Sequence, residues 1–166
     1  YKVLIAYATK CGATQDTSNQ IAQTLQTNFG LEVNLVDLQK NRHPDISHYE
    51  TIVVASGIRM GKWYKEPLQF LKTNFEGKKV AVFVSAMYQG ENPKTYPTAV
   101  ERYLKAVVHE HLNVEPIAME VFGGRMKFAG RVTAENRDIN RINSWAQILG
   151  EKITNKIQVT QLKVEA

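Results

Sequence analysis

Apolar and polar positions along the chain alternate between short apolar runs and stretches of helical period. The runs are Val3–Ala8, Leu31–Leu38, Thr51–Ser56, Lys79–Ala86 and Val114–Phe122. The first, third and fourth are almost continuously apolar, as strands buried on both faces are. Between them, Thr14–Phe29 places Ile21, Ala22, Leu25 and Phe29 on one stripe and stops at Gly30, a natural helix terminator. Helices are likewise expected over Glu66–Phe75, Thr98–Leu112 and Glu135–Ile153, the last carrying Ile139, Ile142, Ala146, Leu149 and Ile153 at helical spacing.

Strands alternating with helices imply right-handed crossovers and a parallel sheet covered on both faces. The predicted fold is therefore α/β and doubly wound, with five strands in the order 2-1-3-4-5. The connection 39–50 is short and carries Pro44, so at most a brief helix fits there. In such sheets ligands bind outside the carboxyl ends of the strands, beside the first and third. One domain is expected over residues 1–155. Residues 156–166 alternate weakly and form a separate tail, either an extra edge strand or disordered.

Composition narrows the function classes. The chain has 166 residues, 43% of them hydrophobic, enough for one buried core. No apolar stretch approaches the roughly 20 residues of a membrane-spanning helix, and the N-terminus lacks the pattern of a signal peptide. A cytoplasmic location is expected. Cys11, the single cysteine, excludes an internal disulfide and a cysteine-cluster metal site. The net charge is +5 and the isoelectric point about 9.3. The thickest basic cluster, Arg125, Lys127, Arg131, Arg137 and Arg141, is interrupted by Glu135 and Asp138 and reads as a solvated basic surface. Nucleic-acid binding is not expected. His109 and His111 stand two apart on a helix and point to different sides, so they make no metal site. No Ser-His-Asp or paired-carboxylate pattern supports hydrolysis.

The chemistry concentrates at the turn after the first strand, Thr9-Lys10-Cys11-Gly12-Ala13-Thr14. At a helix N-terminus, free backbone N–H groups and the positive end of the dipole favour an anion. Thr9 and Thr14 add hydroxyl groups, and Gly12 lets backbone approach closely. The turn reads either as a phosphate cradle or as a helix start with an ordinary side-chain cap. It is neither the ATP-binding pattern nor the dinucleotide fingerprint.

This turn resembles the phosphate loop of the flavodoxins, [Ser/Thr]-x-[Ser/Thr]-Gly-x-Thr, with Cys11 where a hydroxyl residue is usual and Ala13 in place of a frequent Asn. The resemblance extends to about Ile153. Within it, "PDISHYETIVVASGIRMGKWYKEPLQFL", residues 44–71, is similar to the flavodoxin-domain branch that contains the menaquinone-dependent protoporphyrinogen dehydrogenases. There a Gly/Ala-Ser-Ile-Arg-Tyr-Gly type turn follows the third strand; here it reads Ser56-Gly57-Ile58-Arg59-Met60-Gly61.

The resemblance implies FMN as cofactor, with its phosphate on Thr9–Thr14 and the second turn over one face of its isoalloxazine ring. Met60 takes the usual aromatic position, and Trp63 and Tyr64 follow closely enough to substitute. The loop Ser85-Ala86-Met87-Tyr88 supplies the other face, Tyr88 leading and Tyr96 second, or else closes over the core. Gly123-Gly124-Arg125, with Lys127, either brings positive charge to the flavin edge or a substrate entrance, or is a solvated basic loop. From Phe128 the chain is expected to run to the last helix in a short polar span, unlike the longer apolar and basic insertion of the dehydrogenase branch. Peripheral membrane contact is thus not favoured. The expected function is an FMN-binding redox protein, an electron carrier or an oxidoreductase of protoporphyrinogen dehydrogenase type. Its partner is then a redox protein or a small-molecule electron donor or acceptor. The alternative is a flavin-free receiver-like signalling or interaction module on the same fold, which calls for an acidic cluster at the sheet edge.

Overall fold

A computed structural model describes the backbone of residues 1–165 and the side chains of residues 1–155. Its central sheet contains β1 (Lys2–Ala8), β2 (Glu32–Asp37), β3 (Thr51–Arg59), β5 (Lys79–Ser85) and β6 (Ala118–Phe122). They run parallel in the order β2-β1-β3-β5-β6. Two-residue β4 (Lys62–Trp63) folds back antiparallel on the end of β3. Leaving β4 aside, this is the order read from the sequence, and β1, β3 and β5 are the strands with continuous burial.

Both faces of the sheet are covered because both carry apolar side chains. On one, Val3, Ile5, Val53 and Phe83 pack on Ile21 and Leu25 of α1 (Ala13–Phe29) and on Ile142, Leu149 and Ile153 of α5 (Ile139–Glu165). Phe83, Phe122 and Trp145 form a mutually edge-on trio with centroids 5.7 to 5.9 Å apart, the geometry that ring quadrupoles favour. On the other face, Leu4, Ile52, Val82 and Val84 pack on Phe70 at the end of α2 (Lys65–Phe70), on Leu71 and Phe75 beyond it, and on Tyr103, Leu104 and Val108. The last three belong to one helical stretch: α3 (Tyr96–Ala99), a π-helical segment (Val100–Lys105) and α4 (Ala106–His111).

Several boundaries differ from the periodicity, each for a local reason. Helix α2 stops at Phe70, five residues early, and Asn74 Oδ1 then accepts the N–H of Glu76 at 3.0 Å, an Asx turn that competes with helix. Pro116 shortens the fifth main strand, which begins at Ala118 instead of Val114. Helix α5 starts at Ile139 because Asp138 Oδ1 accepts the N–H groups of Asn140 and Arg141 at 3.0 and 3.2 Å. Glu135 therefore lies outside it. The segment expected as a polar span is instead a hairpin, β7 (Arg125–Phe128) and β8 (Arg131–Glu135). The backbone of α5 continues to Glu165 through the expected tail, with no Gly or Pro after Gly150 to stop it. The tail's side chains lie outside the described residues.

Candidate functional site

At the carboxyl ends of β1, β3 and β5, beside the β7–β8 hairpin, the connections enclose a cavity of about 570 Å³. That size falls within the roughly 300–1,000 Å³ of ligand pockets. The first wall is the turn into α1. Gly12 caps the helix with φ of 85°, a left-handed conformation that disfavours a Cβ. Its N–H donates to Thr9 Oγ1 at 3.0 Å and its carbonyl accepts the Asp16 N–H at 3.0 Å. No side chain caps the N-terminus of α1, so first-turn N–H groups remain available to an anion. Thr9, Lys10, Cys11, Ala13 and Thr14 line the cavity.

The second wall is the hairpin of β3 and β4. Arg59 and Lys62 bracket a two-residue turn in which Met60 and Gly61 both have positive φ, 51° and 75°. That is the primed geometry that suits the twist of a hairpin. Gly57, Ile58, Arg59, Met60 and Gly61 line the cavity together with half-buried Tyr64, whose ring lies against Gly57. Desolvation by burial raises the Tyr64 phenol above its ordinary value, keeping it a neutral donor. Ser56 and Trp63 stand behind this wall rather than on it. Ser56 Oγ donates to Gly57 O at 2.7 Å and accepts the Tyr64 N–H at 3.0 Å. Trp63, paired with Ile58, is buried in the core and donates its indole N–H to Tyr103 O at 2.8 Å. Strand alternation thus sends Trp63 inward and leaves Tyr64 for the cavity.

The third wall follows β5. Ser85, Met87, Tyr88 and Gln89 line it, while Ala86 is buried behind, its N–H donating to Phe122 O at 2.8 Å. Tyr88 is 65% exposed and its hydroxyl donates to Met126 Sδ at 2.7 Å. Tyr96, the second expected aromatic, does not line the cavity. Its hydroxyl donates to Glu120 and its pKa is pushed up to about 12, by burial first and by that carboxylate second. Gly124, Arg125, Met126 and Lys127 close the fourth side.

Side chains distant in sequence hold these loops. Arg141 reaches Glu91 at 2.5 Å, Glu120 at 3.1 Å and the carbonyls of Gly90 and Val121 at 3.1 and 3.0 Å. Asn136 accepts the Gly124 N–H at 2.9 Å and donates to Met87 O. Arg137 Nε lies 2.7 Å from Glu135. Of the basic cluster read as a solvated surface, Arg125, Arg137 and Arg141 are thus committed to carboxylates, whereas Lys127 and Arg131 are exposed.

Electrostatically the cavity suits an anion. Lys10, Arg59, Arg125 and Lys127 line it, and among the described residues no Asp or Glu does. Among the described residues the lining holds no acidic cluster of the kind the receiver-like alternative calls for. Four buried side-chain polar atoms lack a partner among the described residues, and two of them, Ser85 Oγ and Arg125 Nε, belong to lining residues. Unpaired buried polar atoms cost about 1–3 kcal/mol each, so their place at one cavity fits a ligand that satisfies them. A phosphorylated flavin would find N–H groups and hydroxyls at the turn into α1, and tyrosines with backbone at the β3–β4 hairpin and the loop after β5.

Sequence reading missed Gln89, Tyr103 and Met126 as lining residues. Tyr103 fits the helical stripe of the core and is only 4% exposed, so periodicity assigns it inward; the π-helical segment carrying it gives no sequence signal. Met126 belongs to the hairpin that was not expected.

Residues 4–147 match the sequence model of the family described as Flavodoxin domain. Among solved structures, oxidised flavodoxin 2 of Bacillus cereus has a TM-score of 0.61 at 20% identity, covering 94% of this chain and 99% of that one. Oxidised flavodoxin 1 of the same organism gives 0.60 at 18%, covering 93% and 98%. The rubredoxin oxygen:oxidoreductase of Desulfovibrio gigas gives 0.60 at 18%, and this chain, 94% covered, spans 37% of that longer one. These likenesses show a shared fold. No curated protein sequence matches the chain.

Proposed function

The chain belongs to the flavodoxin domain family, and on that premise we propose that it is a redox protein holding FMN in the cavity above β1, β3 and β5. The observation that carries this reading is the meeting of an uncapped α1 N-terminus with a cavity lined, among the described residues, by four cations, no carboxylate and a Ser85 hydroxyl without a partner. Bound FMN supplies one- and two-electron transfer, and the protein supplies binding, orientation and access.

The chain's own groups divide that work. The backbone of Cys11–Thr14 and the Thr14 side chain hold the phosphate. The Gly57–Gly61 hairpin with Tyr64 covers one ring face, and Tyr88 with Met87 the other, keeping water from the ring. Lys10, Arg59 and Lys127 favour negative charge on the reduced ring and an acidic redox partner at the mouth. No side chain in the lining needs to act as acid or base for electron transfer. The purified protein should be yellow and release FMN on denaturation. A colourless protein that takes up no added FMN would defeat the reading.

A second reading, an oxidoreductase of protoporphyrinogen dehydrogenase type, draws support from the β7–β8 hairpin. Met126, Phe128 and Val132 are 39%, 77% and 52% exposed there, beside exposed Lys127 and Arg131. An apolar and basic finger at the cavity mouth suits an anionic membrane surface or a large apolar substrate. Co-sedimentation with phosphatidylglycerol vesicles, lost in Phe128→Ser with Val132→Ser, would favour this reading. Absence of sedimentation in the native chain would favour the carrier.

A further inference from the structure

We propose that Arg125 makes this site select a phosphorylated ligand, acting on the phosphate loop from the β7–β8 hairpin; the inference rests on the FMN reading above. The sequence leaves Arg125 either near the flavin edge or on a solvated basic loop. Its side chain instead crosses to the start of α1. Nη1 lies 3.3 Å from Cys11 O, and a Cβ added to Gly12 would sit 2.9 Å from it. Nη2 lies 2.6 Å from Asp16 Oδ2 and 2.9 Å from Glu135 Oε1, and the buried Nε has no partner among the described residues.

A guanidinium at a helix N-terminus opposes the dipole, which disfavours cations there. The two carboxylates offset that cost, but they are not equivalent. Glu135 is the register partner of Arg125 at the base of the hairpin and is held also by Arg137 at 2.7 Å. Asp16 lies in the first turn of α1, 47% exposed, with Arg125 as its one ion-pair partner among the described residues. Asp16 is therefore the exchangeable anion, surrendered to water when a phosphate takes its place on Nη2, while Glu135 keeps the guanidinium aimed at the loop. The planar fork matters as well as the charge, because a guanidinium can grip phosphate through two donors where an ammonium acts as a point charge.

The test is a flavin-fluorescence titration of the flavin-free protein with FMN and with riboflavin, for the native chain, Arg125→Gln, Arg125→Lys and Asp16→Asn. Arg125→Gln should lose about 10- to 150-fold in FMN affinity, the range for a lost hydrogen bond to a charged group, and less than about 2-fold in riboflavin affinity. Arg125→Lys should recover part of the loss. Asp16→Asn, which removes the competing carboxylate, should bind FMN at least as tightly as the native chain. Unchanged discrimination in Arg125→Gln, or equal weakening toward both flavins, would overturn the proposal. Native protein that binds neither flavin would overturn the FMN reading itself, and this inference with it. Should Arg125→Gln fail to fold, the Arg125→Lys and Asp16→Asn ratios decide the matter.

Discussion

Replacing Gly12 by alanine puts a methyl group on a residue whose φ is 85°, at the point where the phosphate loop becomes α1. A left-handed L-residue costs roughly 1–2 kcal/mol. For a domain of this size that lowers Tm by about 2–8 °C. The new Cβ would also stand 2.9 Å from Arg125 Nη1. That neighbour is the end of a flexible side chain, so it gives way, and the guanidinium leaves its 3.3 Å contact with Cys11 O. FMN affinity should then fall by about tenfold or more, as one charge-assisted hydrogen bond is displaced. Gly30 supplies the control at the other end of the same helix. Its φ is 64°, it would meet nothing within 4 Å, and its N–H bonds Gln26 O at 3.1 Å. Gly30→Ala should lose similar stability in a thermal melt and keep native FMN affinity. If Gly12→Ala binds FMN as the native chain does, or if both variants weaken alike, the phosphate is not held where we place it.

Three further outcomes follow from the same geometry. Cys11, half-buried in the cavity wall, should be alkylated by iodoacetamide slowly under saturating FMN, faster under riboflavin and fastest alone, read by intact mass; a rate indifferent to FMN would refute its placement. Hydrogen bonds from Arg125 first, and from Arg137, hold the Glu135 carboxyl below its ordinary 4.5 against the opposing effect of burial. Its contribution to stability is therefore full above 4.5 and lost as pH falls through the lower folded value. The stability gap between the native chain and Glu135→Gln should close in that acid window, and a constant gap in urea melts would count against the pairing. Trp63→Phe should cost about 0.5–1.5 kcal/mol through the lost hydrogen bond to Tyr103 O, yet leave the absorption envelope of bound flavin unchanged; an altered envelope would put Trp63 at the ring.

Sequence pattern carried the sheet order because β1, β3 and β5 are apolar on both faces, a local signal needing no tertiary knowledge. The turn into α1 was legible for the same reason: its Gly, hydroxyls and helix start are consecutive. The β7–β8 hairpin was not. Its turn is Ala129-Gly130, with φ of 50° and 77°, rather than the Asn-Gly that announces such turns. Its alternation also mixes charged with apolar side chains that remain exposed, so no buried stripe marked it. Trp63 misled because an aromatic after a turn reads as a ring cover until the two-residue β4 fixes which of Trp63 and Tyr64 faces inward. The Arg125–Asp16 pair joins residues 109 apart, and spacing gives no hint of such a contact. The order of the main strands and the residues at their ends were therefore readable, while the hairpin and the ion pairs tying it to α1 are tertiary facts.

Whether FMN phosphate sits on the α1 N-terminus with the ring between the two loops can be read from amide ¹H–¹⁵N shifts in the native protein. FMN addition should give large shifts at Cys11–Gln15, with smaller ones at Gly57–Gly61, Met87–Gln89 and Gly124–Lys127. Riboflavin should move the last three groups and leave Cys11–Gln15 nearly in place. Shifts confined to the groove between α1 and α5, lined by Gln20, Gln23, Asn143 and Gln147, or a phosphate loop that responds equally to both flavins, would contradict that placement.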